Sequence, residues 1–248
     1  MGTFGLPETA LSNLKVPKTT FIKSADLVGA DKKLVTSGLK DLRVVASVTD
    51  AIAGTSPAGT VAAEMRDELA VAEILFVEAE LASVIKESET RRMEELLHRS
   101  IPNPVILHTF NTTTSRLSLA IKRQSESDSS KQTIVRFYAI RELAISFPAA
   151  LTFPSQSYFS LGELYESWFS QFYGMWLHKA LGLTMEEPIR VTFAQSRGAY
   201  DTVKVLSDEL ELLVNAAKAE KQINRRVELN KKIRDHRAIL EIQKAKFA

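Results

Sequence analysis

AVAEILFVEAELA at 70–82, SETRRMEELLHRSI at 88–101 and NPVILHTF at 103–110 follow one another over short connections, and their order decides the fold. The first is dense in residues that suit a pleated strand. The second carries apolar residues at helical spacing behind Ser88, a residue type that caps helix starts, although Arg91 stands where a capping box wants Glu. The third is a short apolar run of the length of a buried strand. A strand-helix-strand step of this size favours a parallel pair. Outward from it, RLSLAIKRQ at 116–124 and QTIVRFYAIREL at 132–143 alternate apolar and polar residues at period two. The turns NTTTS and SESDSSK that separate these runs are polar and of hairpin length. The expected fold is α+β: a mixed sheet of about four strands in the order β-α-β-β-β, covered by a helix, with helical N- and C-terminal regions.

Before this core, Pro7 and Pro17 interrupt an irregular start that leaves room for one or two helical turns between Glu8 and Leu14. From 24 to 48, Leu27, Leu34, Val35, Leu39, Leu42 and Val45 fit an amphipathic helix broken at Gly38. TDAIAGTSPAGT at 49–60 reads as a loop. Beyond the core, LGELYESWFSQFYGMWLHKAL at 161–181 returns to helix and holds both tryptophans, Trp168 and Trp176. Its aromatic residues follow the spacing of a core face, and Gly182 is placed to end it. IRVTF at 189–193 has strand character.

From Tyr200 to Lys246 there is neither Pro nor Gly. A continuous helix of this length would extend ~70 Å, so part of it projects or folds back. Val203, Leu206, Leu210, Leu213 and Ala217 form a clean seam in its first half. Ile223, Val227, Ile233, Leu240 and Phe247 continue it as a coiled-coil-like interaction seam, interrupted by polar Asn230 and Arg237. The expected division is a helical or irregular segment at 1–60, an α+β core at 61–195 and a long C-terminal helix at 196–248.

The 248 residues are 45% hydrophobic and 25% charged, ordinary values for a folded globular chain. With no cysteine, disulfides, thiolate metal sites and cysteine nucleophiles are excluded, and a reducing, cytoplasmic setting is expected. No run approaches the ~18 apolar residues that span a bilayer, and no membrane association is expected. Net charge is +2 and unevenly placed. Residues 218–248 carry ten Lys/Arg against four Asp/Glu, a net of +6, and the remainder is at −4.

Few residues carry a chemical signal. Glu78 and Glu80, two apart on an expected strand, would share a face. With Lys122 or Arg123 from a neighbouring strand they are the candidate catalytic set of a metal-dependent nuclease, weighed against an ordinary solvated sheet face. The four histidines, His98, His108, His178 and His236, lack helical metal-ligand spacing, although His98 and His108 flank the Ile101-Pro102 turn. GxSxG, GxxxxGK[ST] and GxGxxG are all absent, so neither a hydrolase elbow nor a phosphate-cradling loop is expected. No cofactor and no metal site are expected. In the basic tail, Arg225, Arg226, Lys231, Lys232, Arg234 and Arg237 could contact phosphates or a partner, or form a solvated face with pairs such as Glu228 and Lys232.

The opening FGLPETALSNLKVPKTTF and the closing AEKQINRRVELNKKIRDHRAIL resemble the two ends of a bacterial family known only as domain of unknown function 4391. The strand, the helix ending in Ile101-Pro102 and the hairpin strands follow that family's order. Residues 41–61 depart from it, being small and neutral where an aromatic, basic segment is expected. The resemblance implies no reaction. It implies a context, beside helicase and DNA-methyltransferase genes in bacterial defence-type operons. The expected function is a non-catalytic accessory subunit of a DNA-processing or phage-defence complex. It would dock through its C-terminal helix to a helicase-like or methyltransferase-like subunit or to itself. The alternatives are the nuclease and a nucleic-acid-binding protein using the basic helix.

Overall fold

A computed structural model describes residues 4–55, 71–124, 132–141, 151–156, 158–181 and 193–244. Two compact units result, 1–176 and 177–248.

The first unit is built on a mixed sheet whose strands lie in chain order, β1 (Leu11–Lys15), β2 (Leu39–Thr49), β3 (Glu73–Leu81), β4 (Val105–Phe110), β5 (Ser115–Gln124) and β6 (Gln132–Arg141). All neighbours are antiparallel except β3 and β4, which run parallel with Glu78 opposite His108. The parallel pair and both hairpins are as the spacing predicts. The sheet is larger than expected, with six strands among the described residues instead of about four.

The two extra strands come from the N-terminal region. Leu39–Thr49 is β2 and not the second half of a helix; one short helical turn forms at Glu8–Ala10 as expected, and the chain then continues as β1, Leu11–Lys15. Helix α1 (Lys18–Ser24) and helix α2 (Gly29–Gly38) lie between them. Leu39, Leu42 and Val45 imitate a helical stripe because β2 carries irregularities between 39 and 41 and between 44 and 46. Each offset shifts the inward positions away from strict alternation. Gly38 marks the switch from helix to strand, where an added Cβ would come within 3.1 Å of Ile85. In the stretch read as a loop, α3 (Asp50–Ala53) adds one short helix, and 56–60 lies outside the described residues.

Helix α4 (Glu87–Ser100) connects the parallel strands. Its N-cap is Lys86, two residues before the expected Ser88: the backbone N–H of Lys86 donates to Glu89 Oε2 at 2.9 Å, and Ser88 lies within the helix. Met93, Leu96 and Leu97 of α4 join Val35, Leu39, Leu42, Val77, Ala79, Val105 and Leu107 in one buried core. Apart from Ala79, each of these side chains contributes roughly 1.5–3 kcal/mol of transfer free energy.

The opposite sheet face is covered in part by α5 (Leu161–Leu181), whose aromatic stripe packs as the spacing predicts. Trp168 meets Phe76 edge-on at 5.3 Å and Phe169 meets Tyr138 at 5.2 Å. The Tyr165 hydroxyl reaches the backbone carbonyl of Ala120 at 3.0 Å. Gly182 and residues 189–192 of the IRVTF piece lie outside the described residues.

The second unit contains α6 (Phe193–Ala219) and α7 (Ile223–Lys244). The Pro- and Gly-free stretch, expected to project or to fold back, does the latter: it is two helices separated at 220–222 that fold back on each other. His236 of α7 lies 3.1 Å from Glu209 of α6.

Candidate functional site

Beyond the cover of α5, the same sheet face carries a group of polar side chains. Glu78 and Glu80 point to it together, as their spacing requires, because the intervening Ala79 is buried on the other side. The two carboxylates take different partners. Glu80 is 3.5 Å from Lys40 Nζ, and Glu78 Oε1 is 3.5 Å from His108 Nδ1. On the neighbouring strands, Asp41 pairs with Lys15 at 2.8 Å and with Arg43. These two cations hold the Asp41 carboxyl down at about 2. Among the described residues no group of three His, Asp or Glu side chains is placed to hold a metal ion.

His108, whose spacing in the sequence marks no metal site, lies at the centre of this face. Its Nε2 is 3.0 Å from Ser115 Oγ, its Nδ1 faces Glu78, and its ring stacks on Phe110 at 5.0 Å. Burial pushes its pKa down, opposed by the Glu78 charge. The order Ser115, His108, Glu78 is a hydrogen-bonded chain able to fix the imidazole tautomer, with a loose link at the carboxylate. The available signal was pairing: parallel strands with Glu78 opposite His108 put the two on one face.

Lys122 does not join Glu78 and Glu80. It lies on the opposite, α4-covered face, where its Nζ donates to the carbonyls of Ile101 and Asn103, both at 2.6 Å. Burial lowers its pKa to about 7. The other polar positions of β5 on this side share its fate. Arg116, Ser118 and Lys122 are all buried. Arg116 grips Glu94 of α4 with two hydrogen bonds of 2.8 and 2.9 Å, and Thr109 donates to the same carboxylate at 2.6 Å. Ser118 meets His98 Nε2 at 3.0 Å. His98 is fully buried, and desolvation, reinforced by the Lys122 charge, keeps it neutral. His98 and His108 therefore do not approach each other, since the sheet separates them. The side chain of His178 lies outside the described residues.

In the second unit the predicted seam divides. Ile233 and Leu240 are buried, whereas Ile223 and Val227 are 69% and 61% exposed. Arg225, Arg226, Lys231, Lys232, Arg234 and Arg237 are all exposed. They are distributed around the helix and form no single stripe, which follows from 100° per residue.

A family model described as a domain of unknown function, number 4391, matches residues 4–240. The chain belongs to that family. No curated protein and no solved structure matches it. No helix among the described residues is long and apolar enough to cross a membrane.

Proposed function

We propose that this member of the family is a non-catalytic interaction subunit of a bacterial DNA-processing or defence complex, with α7 as its docking helix. The observation that carries this reading is the two-sidedness of α7. Its inward arc is Leu229, Ile233, His236 and Leu240, fixed by the bond from His236 to α6. About half a turn away lie Ile223, Val227, Lys231, Arg234, Ala238 and Ile242, within an arc of about 100°. All six are exposed. A helix that keeps isoleucines and valine on its outer side, interleaved with cations, suits a partner groove that is apolar at its floor and acidic at its rim. The helix carries seven Lys/Arg against three Asp/Glu, which favours an acidic protein partner.

The test is co-purification with candidate helicase-like and methyltransferase-like subunits, comparing the native chain with Ile223→Asp and Val227→Asp. Both positions are exposed, so the hairpin is expected to stay folded, as circular dichroism would report. Loss of the partner from both variants is the expected result, and undiminished recovery overturns the reading. Duplex DNA bound by the chain alone, with affinity falling steeply in salt, would favour the nucleic-acid alternative instead.

A further inference from the structure

Three adjacent strands carry Glu78, His108 and Ser115 on one face of the sheet. Register fixes their approach. Glu78 of β3 lies opposite His108 of the parallel β4. Ser115 of β5 lies opposite Phe110, two residues further along β4 and so on the same face. The contacts have the polarity that activates a nucleophile. Ser115 Oγ is 3.0 Å from His108 Nε2, and Glu78 Oε1 is 3.5 Å from Nδ1 of the same ring. A carboxylate can only accept, so Nδ1 carries the ring proton and Nε2 accepts from the Ser115 hydroxyl. Burial holds the imidazole pKa down against the Glu78 charge, so the ring that meets the hydroxyl is neutral and able to take a proton.

The surrounding chain holds this arrangement in place. The His108 ring stacks on Phe110 with centroids 5.0 Å apart. The Asn111 side-chain oxygen accepts the N–H groups of Thr113 and Thr114 at 2.9 and 2.8 Å, so a tight turn delivers the chain into β5 at Ser115. The Asn111 N–H donates to the Thr114 carbonyl at 2.9 Å, which makes 111 and 114 the hydrogen-bonded pair that closes the hairpin. The next pair, Phe110 and Ser115, then exchanges no bonds across it, and the Ser115 N–H points away from β4. A nucleophile's own N–H is a donor for the oxyanion that forms on it. Glu78, His108 and Ser115 are all half-buried, and half-buried Phe110 adds an apolar wall beside the hydroxyl.

We propose that Ser115 is a nucleophile for acyl transfer, with His108 as its general base and Glu78 as the positioning residue, acting on a carboxylic ester whose apolar acyl group rests against Phe110. One oxyanion donor suits an ester, whose alkoxide leaves more readily than an amine. Ser115 Oγ bonds to the carbonyl carbon while its proton passes to His108 Nε2. The bond to the alkoxide breaks, and that oxygen takes the proton from Nε2. Water then attacks the acyl-serine and gives a proton to Nε2; the acid departs as that proton returns to Oγ. One ester and one water become one acid and one alcohol. This goes beyond the docking role of α7. As a docking subunit the chain is non-catalytic toward DNA, and the ester chemistry is a separate activity lying wholly in the first unit.

The full-length protein treated with a fluorophosphonate, with the adduct located by peptide mass spectrometry, tests it, alongside turnover of p-nitrophenyl butyrate. A single adduct on Ser115 is expected, with adduct and turnover both lost in Ser115→Ala and in His108→Gln. Unaltered melting curves for these variants separate loss of chemistry from loss of fold. Glu78→Gln is expected to slow labelling ~10-fold or more. It is also expected to move the midpoint of the labelling pH profile lower, because the imidazolium loses a neighbouring negative charge. A carboxylate with a merely structural role would leave that midpoint in place. Absence of an adduct on Ser115 overturns the proposal, and so does labelling unchanged in His108→Gln. Because the chain contains no cysteine, Ser115→Cys supplies a single thiol at the site. Its alkylation by iodoacetamide is expected to be half-maximal below the pH of ~8.5 of a free thiol, and to return there when His108→Gln is added. Identical profiles with and without His108 would sink the proposal independently of the alanine variant.

Discussion

Lys122 shows at the scale of one residue how burial reassigns chemistry. Its amine serves two backbone carbonyls at the end of α4, those of Ile101 and Asn103. A neutral amine keeps two N–H donors, so both bonds survive loss of the proton. Burial lowers the folded-state pKa to about 7, below the unfolded value of roughly 10.4. Between these limits the unfolded chain holds the extra proton, so the free energy of unfolding rises as pH rises from about 7 to about 10. Urea unfolding of the native chain and of Lys122→Met across that range isolates the effect. The native chain is expected to gain stability relative to the variant as pH rises, and parallel curves would refute this. Near pH 10, where the buried amine carries no charge penalty, the variant is expected to be less stable, because each carbonyl left without a donor costs about 1–3 kcal/mol. The strand itself was readable in RLSLAIKRQ, but the destination of its polar side was not. Period-two alternation marks Arg116, Ser118 and Lys122 as one face without saying whether a helix covers it. Glu94 and His98 on α4 make the burial of Arg116 and Ser118 tolerable, and the carbonyls of Ile101 and Asn103 do so for Lys122.

The C-terminal region makes the corresponding point for elements. Propensity and the lack of Pro and Gly favour one helix from 200 to 246, and the chain instead breaks at 220–222. Local bonds seal the break, since the Gln222 N–H donates to Glu220 Oε1 at 2.8 Å and the Arg226 N–H to the Gln222 carbonyl at 3.0 Å. Helical stability comes mainly from burying an apolar face, and folding back lets α7 bury Ile233 and Leu240. No residue in Glu220–Gln222 advertises a turn, because the gain lies in contacts between residues far apart in sequence. Leu240→Ala is expected to cost about 2 kcal/mol or more in helix melting followed by circular dichroism. Ile223→Ala, on the exposed arc, is expected to cost no more than about 0.5 kcal/mol. Equal costs would show that the two arcs are not distinguished by packing.

At the scale of the whole molecule, two compact units predict separable unfolding. In differential scanning calorimetry Leu107→Ala, in the sheet core, is expected to lower one transition and leave the other in place. Leu240→Ala is expected to do the reverse. A single transition moved by both would show one cooperative block. By itself the sequence determined the α+β class, the parallel β3–β4 step around α4, the two following hairpins and the aromatic core face of α5. These follow from local period, segment length and loop length, and each is written within a few dozen consecutive residues. Only the tertiary structure decided that β1 and β2 extend the sheet, that the C-terminal helix is a hairpin, and that Lys122 stands apart from Glu78. Those outcomes rest on bulges that break period two, and on burial against distant elements, neither of which leaves a local mark on the chain.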